Sequence, residues 1–389
     1  MKELLVNPPF HSLMGQDQSY VPLSLLWAAN DAEDPGIYNF EIENSLDQLS
    51  YLDRLSGFER YLFAVSSPEH FMWKNVRNVF EKYNPKEIWM THYYAKDMSI
   101  NVVSDIAKGM GIKVRINRPY EPPFQKDKIN ARRGLFESLL QEYKRDRLSH
   151  IFTSSGCPYS CGFCLSDNKV QFREISDIIF EMDYLVSNFS CELFTFWDDA
   201  FTLVDKRIVE FAKHKEKSLS SKSRYMCESR ADSLNENNIK ILKDSGCENI
   251  SVGFETGSPR LLKLIRKGEG IEDYLRTADL LNKYGINWKA YVMIGFPTET
   301  EEEVNLTLDL VERTLPNKVT ASVYTPYPRT FLSEKFCNEK INVSKMCHQF
   351  ENINVTDMDD SLYYKLIHDF FNKCDVYNKK RKEQSITYD

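Results

Sequence analysis

The sequence contains no run of about eighteen apolar residues, the length that a helix needs to cross the apolar core of a membrane. Its first residues, MKELLVNPPF, lead directly into a strand-like pattern and lack the hydrophobic segment of a secretory signal peptide. Its net charge of −7 provides no broad basic surface for nucleic acid or anionic lipid. We therefore expect a cytoplasmic protein that binds neither membranes nor nucleic acids and that takes a small molecule or a peptide as substrate.

Cysteine is absent before Cys157, so that all nine cysteines lie from that residue onward. Because the expected compartment is reducing, free thiols or metal ligands explain them better than disulfides do. Three of them, Cys157, Cys161 and Cys164, follow at spacings of four and three residues. A short loop with this spacing can hold a cube of iron and sulfide through three thiolates and leave the fourth iron open. A structural zinc site, which would need a fourth ligand, and three ordinary buried thiols are the alternatives.

Short apolar runs alternate with helical patterns along the first half of the chain. This alternation predicts an α/β domain with an open parallel sheet of the Rossmann or flavodoxin type. The predicted strands are residues 3–6, 37–41, 61–65, 87–91 and 112–116. The segment 117–128 carries Pro119, Pro122 and Pro123, which interrupt helices and sheets alike, so we predict a linker there.

The second half repeats a strand followed by a helix six times, which predicts a partial parallel (β/α)6 barrel. Its predicted strands are residues 150–154, 193–197, 224–228, 249–254, 289–294 and 319–324. The clearest helical pattern is 300–313, where Thr300 and Glu303 have capping-box spacing. Because the loops at the carboxyl ends of barrel strands converge, the polar and glycine residues at those ends are the candidate site.

The length of 389 residues suits about two domains. We predict a first domain at 1–120, a linker and helix at 121–148, the partial barrel at 149–330, and a short helical C-terminal region with a basic tail at 331–389.

The cysteine loop, C-x3-C-x2-C with Phe163 just before its last cysteine, resembles the signature of radical S-adenosylmethionine (SAM) enzymes. The resemblance extends over about residues 150–330 through FWDDAFT, GCENISVGFETGS, VMIGFPTETEEEV and YTPYP. It implies a [4Fe–4S] cluster that cleaves SAM to a 5′-deoxyadenosyl radical, with a flavodoxin- or ferredoxin-type protein as reductant. The radical would abstract hydrogen from the substrate, and rearrangement, epimerisation or elimination would follow.

The resemblance also implies roles for residues around the SAM molecule. Phe163 matches an aromatic residue whose backbone approaches the adenine. Asp198 and Asp199 match a pair near the methionine amino group, although acidic pairs also cap helices. Gly295 and Pro297 match a turn that passes close to the adenine, although Gly-Phe-Pro is also an ordinary turn sequence.

Three charged residues match polar positions around the ribose and carboxylate of SAM, namely Glu228, Arg230 and Glu255. A guanidinium suits a carboxylate because its paired donors match the two oxygens, although Arg230 could equally form a surface ion pair. A thiol near the barrel mouth could donate a hydrogen atom to a substrate radical, and Cys227 is the nearest by its sequence position.

The cysteines after the last predicted strand, Cys337, Cys347 and Cys374, could bind an auxiliary cluster, as widely spaced cysteines do in relatives. Their spacing matches no pattern that we can name, and buried thiols are the favoured explanation.

The first domain resembles the cobalamin-binding type through LLVNPP at 4–9 and VPLSLL at 21–26. The D-x-H-x-x-G motif that supplies a histidine ligand is missing, and the bulky Thr-His-Tyr-Tyr segment at 91–94 replaces a glycine-rich turn. We therefore expect weak or absent corrinoid binding. Cobalamin-dependent C-methyl transfer is the first alternative, and a non-catalytic iron–sulfur or ligand-sensing protein is the second.

Overall fold

The computed structural model describes the chain in separate stretches, namely residues 3–7, 35–39, 60–65, 81, 87–92, 107–117, 148–166, 168–327, 329–337 and 353–386. The predicted linker after residue 117, the aromatic pair Tyr93 and Tyr94, and Cys347 lie outside the described residues.

The chain divides into two compact units. One consists of Met1–His150 together with Phe180–Cys191, and the other of Ile151–Ile179 together with Glu192–Asp389. The finer domain bounds given above stay a prediction.

The first sheet has five strands in the order β2-β1-β3-β4-β5, and every neighbouring pair is parallel. The strands are β1 (Glu3–Asn7), β2 (Pro35–Asn39), β3 (Arg60–Val65), β4 (Glu87–His92) and β5 (Lys113–Asn117). This order is that of a doubly wound open sheet, and it confirms the predicted fold class. Strand β2 begins two residues earlier than predicted, at Pro35, because an edge strand accepts a proline as its first residue.

The second sheet has six strands, and its spatial order β6-β9-β10-β11-β12-β13 follows the sequence. The strands are β6 (Leu148–Ile151), β9 (Leu193–Phe196), β10 (Arg224–Ser229), β11 (Cys247–Glu255), β12 (Asn287–Ile294) and β13 (Lys318–Val323). Between β6 and β9, the short strands β7 (Ser154–Ser155) and β8 (Gln171–Phe172) pair with each other antiparallel. From β9 to β13 each strand is parallel to its neighbours, as the predicted partial barrel requires.

The helices alternate with the strands of the second sheet and then form the C-terminal region. They are α1 (Ile175–Phe189), α2 (Asp205–Glu216), α3 (Glu236–Asp244), α4 (Pro259–Leu264), α5 (Ile271–Tyr284), α6 (Glu301–Thr314), α7 (Phe331–Phe336) and α8 (Asp360–Ile386). The capping box of α6 is confirmed, since the side chains of Thr300 and Glu303 each accept the other's backbone N–H. No helix among the described residues is long and apolar enough to cross a membrane.

The packing between the second sheet and its helices shows which face of strand β10 is turned towards the helices. Tyr225 is fully buried and stacks on Phe196 at 4.9 Å, while Phe211 of α2 packs edge-on against it at 5.4 Å. Because side chains alternate along a strand, Cys227 lies on this same helix-facing side and Glu228 lies on the other. Burial agrees, since Cys227 is buried and Glu228 is half-buried.

Helix α8 covers the outer edge of the second sheet. The side-chain amide of Asn378 accepts the N–H of Val319 at 2.7 Å and donates to the carbonyl oxygen of the same residue at 2.8 Å. The hydroxyl of Tyr377 donates to Pro316 O at 2.8 Å. An unpaired strand edge is a template for association with other chains, and the amide of Asn378 pairs with the edge strand β13 in place of a further strand.

The amide of Asn378 yields a stability prediction. We expect Asn378→Asp to lower the free energy of unfolding by about 1–3 kcal/mol, because a carboxylate cannot donate to Val319 O and repels it. Urea denaturation would measure the change. The exposed Asn372 on the same helix provides the matched control Asn372→Asp, for which we expect little change. Equal effects of the two substitutions would contradict the edge-capping role.

Candidate functional site

The three closely spaced cysteines lie on one loop between β7 and β8. The antiparallel pairing of Ser155 with Gln171 closes this loop at its base. The thiols of Cys157, Cys161 and Cys164 are free and only partly buried. They lie within electrostatic range of one another, because Cys157 and Cys161 both contribute to raising the pKa of Cys164.

Gly162 holds the centre of this cysteine loop between two distant segments. Its N–H donates to Ile265 O at 2.6 Å, and its carbonyl oxygen accepts the N–H of Leu332 at 2.9 Å. A Cβ atom at this position would meet Phe331 Cδ1 at 3.1 Å and Leu332 Cγ at 3.2 Å. Any other residue would require these side chains to shift by a few tenths of an ångström, so glycine lets α7 and the segment after α4 approach the loop without that shift.

Burial raises the pKa of all three thiols, and each has a different opposing partner. For Cys157 the backbone N–H of Tyr159 opposes the effect of burial. Burial raises the pKa of Cys164 to about 12, although the N–H of Ser166 donates to its Sγ at 3.3 Å. For Cys161 the opposing groups are cations rather than a backbone N–H. Because iron binds the thiolate, these partners favour the form that a cluster requires.

Asp198 and Asp199 lie at the end of β9 beside the cysteine loop. The buried carboxylate of Asp198 accepts the N–H of Thr153 at 2.6 Å, the hydroxyl of Thr153, and the hydroxyl of Ser154 at 2.8 Å. It therefore ties β9 to the segment that leads into the loop. Asp199 accepts the hydroxyl of Ser166 at 2.8 Å, and burial raises its pKa to about 6. The contact of this pair with SAM stays a prediction.

Arg230 follows β10, and its guanidinium donates hydrogen bonds to several groups of the protein. Nε and Nη2 donate to the two carboxylate oxygens of Asp232, each at 3.0 Å. Nη1 donates to Cys161 Sγ at 3.7 Å, and Nη2 also donates to Lys267 O at 2.8 Å. The guanidinium lies 3.5 Å from the ring centroid of Tyr159. These contacts attach Arg230 to the cysteine loop itself, and its predicted contact with the SAM carboxylate stays untested.

Glu255 ends β11 in a left-handed backbone conformation, with a φ of 64°. Its carboxylate accepts a hydrogen bond of 2.9 Å from the ammonium of Lys267. Lys267 also lies 3.4 Å from Glu269, whose other oxygen accepts the N–H of Asp232 at 3.0 Å. Lys267 and Glu269 are not among the residues predicted from the sequence. The signal for them was the segment Lys-Gly-Glu-Gly at 267–270, in which two glycines alternate with two charges shortly after α4.

Glu228 lies on the side of the sheet away from the helices. Its carboxylate accepts the hydroxyl of Tyr291 at 3.1 Å. Burial raises the pKa of Glu228, and the ammonium of Lys289 opposes that effect. Cys227 points the opposite way into the core, where the neighbouring thiol of Cys247 and burial both raise its pKa. This placement favours a packing role for Cys227 over the predicted hydrogen-atom donor.

The turn after β12 contains Gly295 and Pro297, both buried. Gly295 has a φ of 90°, and a Cβ atom there would meet Tyr363 Oη at 3.1 Å. The carboxylate of Glu299 closes the turn, because it accepts the N–H of Gly295 at 2.5 Å and that of Phe296 at 3.1 Å. Burial raises the pKa of Glu299 to about 8. The sequence analysis did not single out Glu299, although its turn was predicted.

Phe163 lies beside this turn. Its ring centroid is 6.0 Å from that of Phe296, and Phe296 lies 5.5 Å from Tyr324. Phe163 is only partly buried, so it remains accessible to a ligand on the cysteine loop. The turn after β12 and the cysteine loop are therefore adjacent, as the strand-end argument predicts, and the adenine contact stays a prediction.

The donor set on the cysteine loop fits an iron–sulfur cube. Cys337 is half-buried and Cys374 is buried, and an auxiliary cluster on them stays a prediction. Within the described part of the chain, no three His, Cys, Asp or Glu side chains are arranged to hold a single metal ion. Three thiolates around a cube bind three different irons, so they need not converge on one point. The donors to Cys161 and Cys164 match the hydrogen bonds that cluster sulfurs take.

Known proteins resemble this chain in both sequence and fold. Residues 151–311 match the family model described as the radical SAM superfamily. An uncharacterized methyltransferase of Pyrococcus horikoshii is 31% identical over 50% of this chain and 44% of its own length. The anaerobic magnesium-protoporphyrin IX monomethyl ester cyclase of Rubrivivax gelatinosus is 24% identical over 62% of this chain and 45% of its own. The matches thus span less than half the length of these curated relatives.

A solved structure resembles this chain in fold over most of its length. The radical SAM methyltransferase TsrM from Kitasatospora setae, with cobalamin and a [4Fe–4S] cluster bound, superposes with a TM-score of 0.65 at 15% identity. The superposition covers 86% of this chain and 78% of TsrM, and at this identity it establishes the fold. The match identifies residues 151–311 as a radical SAM domain, and this part of the chain contains the cysteine loop and the strand-end residues around it.

Proposed function

We propose that this protein is an enzyme that holds a [4Fe–4S] cluster on Cys157, Cys161 and Cys164 and cleaves SAM with it. The observation that carries the proposal is the cysteine loop, with three free and partly exposed thiols held on one short segment. The superfamily match over residues 151–311 supports it. When bound, such a cluster supplies one electron to SAM, whose carbon–sulfur bond breaks to give methionine and the 5′-deoxyadenosyl radical.

The residues around the loop position the reactants in this proposal. Asp198 fixes the approach to the loop through Thr153, and Arg230 donates to the thiolate of Cys161. Glu255 is the charged group at the end of β11 and is proposed to contact the ribose of SAM. The backbone turn at Gly295, closed by Glu299, is proposed to support the adenine.

The substrate is proposed to be a small molecule, with a peptide as the other possibility. The polar groups on the side of the sheet away from the helices, Glu228, Tyr291 and Lys289, would face it. A flavodoxin- or ferredoxin-type protein is proposed to deliver the electron.

Cobalamin-dependent methyl transfer is the second candidate, and one observation favours it. The superposition on TsrM covers 86% of this chain, and that protein carries a cobalamin as well as its cluster. The first sheet also has the doubly wound order in which ligands bind at the carboxyl ends of the strands. The missing histidine motif opposes this candidate, and Thr91 and His92 at the end of β4 replace the usual glycine-rich turn.

The cluster assignment predicts the effect of replacing each ligand. We expect Cys157→Ala, Cys161→Ala or Cys164→Ala to remove the charge-transfer absorption of anaerobically reconstituted protein and to stop release of 5′-deoxyadenosine from SAM. The wild-type protein should contain about four irons. The half-buried Cys337 provides the control Cys337→Ala, which should keep both signals. A zinc-loaded protein without iron–sulfur absorption would sink the assignment, and a cluster that never cleaves SAM would favour a sensor.

The role of Glu255 predicts a change in SAM binding. We expect Glu255→Gln to raise the dissociation constant of SAM about tenfold, because a charge-assisted hydrogen bond to the ribose is weakened. Equilibrium dialysis with the oxidised, reconstituted protein would measure it. Glu248→Gln removes an equally charged but exposed partner of Arg224 and should leave the constant unchanged. Identical constants in the two variants would show that Glu255 does not contact SAM.

The reaction class predicts which nucleoside accumulates. If SAM serves only as a radical source, an assay with substrate and added hydroxocobalamin should yield 5′-deoxyadenosine without S-adenosylhomocysteine. Methyl transfer through the corrinoid would instead yield S-adenosylhomocysteine in proportion to product. Quantifying both nucleosides with and without hydroxocobalamin decides between the two candidates, and the same assay without hydroxocobalamin is the control.

A further inference from the structure

A buried lysine lies behind the cysteine loop. The side chain of Lys267 is 6% exposed, and its ammonium donates to Glu255 at 2.9 Å and lies 3.4 Å from Glu269. Burial disfavours the charged form, yet the two carboxylates outweigh it and raise the pKa of Lys267. The ammonium also lies close to the backbone of Gly253, where an added Cβ atom would be only 3.0 Å from Lys267 Nζ. The ammonium is therefore a permanent buried charge in a fixed position.

The backbone links this charge to the cysteine loop. The N–H of Gly162 donates to Ile265 O at 2.6 Å, two residues before Lys267. Arg230 bridges the same two segments, because it donates to Lys267 O at 2.8 Å and to Cys161 Sγ at 3.7 Å. The same carboxylate oxygen of Glu269 lies 3.4 Å from Lys267 Nζ and 3.6 Å from Arg230 Nη2, so the ammonium lies next to the guanidinium that contacts Cys161.

We propose that Lys267 is a positioning residue that makes the cluster easier to reduce, by holding a buried positive charge beside the Cys161 thiolate. This inference rests on the proposed function. Reduction adds one electron from an external donor to the cluster and one negative charge to the loop. A cation held nearby stabilises the reduced form more than the oxidised form, and it does so before any ligand arrives.

The test is a redox titration of the reconstituted, SAM-free protein, followed by the electron paramagnetic resonance signal of the reduced cluster. We expect Lys267→Met to shift the midpoint to a more negative potential, so that at the wild-type midpoint the ratio of reduced to oxidised cluster falls about tenfold. Lys267→Arg, which keeps the charge, should restore most of the shift. Lys215→Met removes another buried lysine, which donates to the carbonyl oxygens of Ser221 and Ser223, and should leave the midpoint unchanged.

Glu269→Gln provides a second variant with the opposite sign. Removing a negative charge from the same network should shift the midpoint to a more positive potential, which general loosening of the loop would not do. If Lys267→Met fails to retain its iron, the midpoint shift of Glu269→Gln alone tests the inference. No shift in Lys267→Met or Glu269→Gln, or shifts of the same sign, would overturn the inference while leaving the proposed function intact. A wild-type protein that assembles no cluster would instead refute the proposed function.

Discussion

The two backbone hydrogen bonds of Gly162 are the constraint on which the site depends. Its N–H donates to Ile265 O and its carbonyl oxygen accepts the N–H of Leu332, while Phe331 and Leu332 lie so close that a Cβ atom would crowd their side chains. The cysteine loop is thereby fixed by backbone bonds rather than by flexible side chains. The same contact fixes Ile265, and with it the position of Lys267 two residues later.

Burial and nearby charges have opposite effects on the three thiols of the site. Burial raises the pKa of Cys157, Cys161 and Cys164, so that without a metal ion the protonated thiols are favoured. A cluster must displace those protons, which makes its assembly harder as the pH falls. The backbone N–H groups and the two cations reduce that cost without adding mobile groups. Carboxylates in turn balance the two cations, because burying an unpaired charge would cost several kcal/mol.

The strands of both sheets could be predicted because buried parallel strands are short apolar runs between turn signals. The cluster ligands could be predicted because their spacing alone defines a loop. Lys267, Glu269 and Glu299 could not, because lysine and glutamate are rarely buried and their positions depend on how loops fold back onto the site. For Asp198 the sequence correctly placed the residue at a strand end, but could not reveal that Thr153 and Ser154 occupy its carboxylate.

The two faces of β10 bear on the chemistry that follows radical formation. A thiol that quenches a substrate radical must lie on the side that the substrate reaches, whereas Cys227 lies in the helix-facing core beside Tyr225. Among the described cysteines outside the cysteine loop, Cys337 is the one that is not buried. This position favours a packing role for Cys227, and its role as a hydrogen-atom donor stays a prediction. Rearrangement, elimination and methyl transfer need no such thiol.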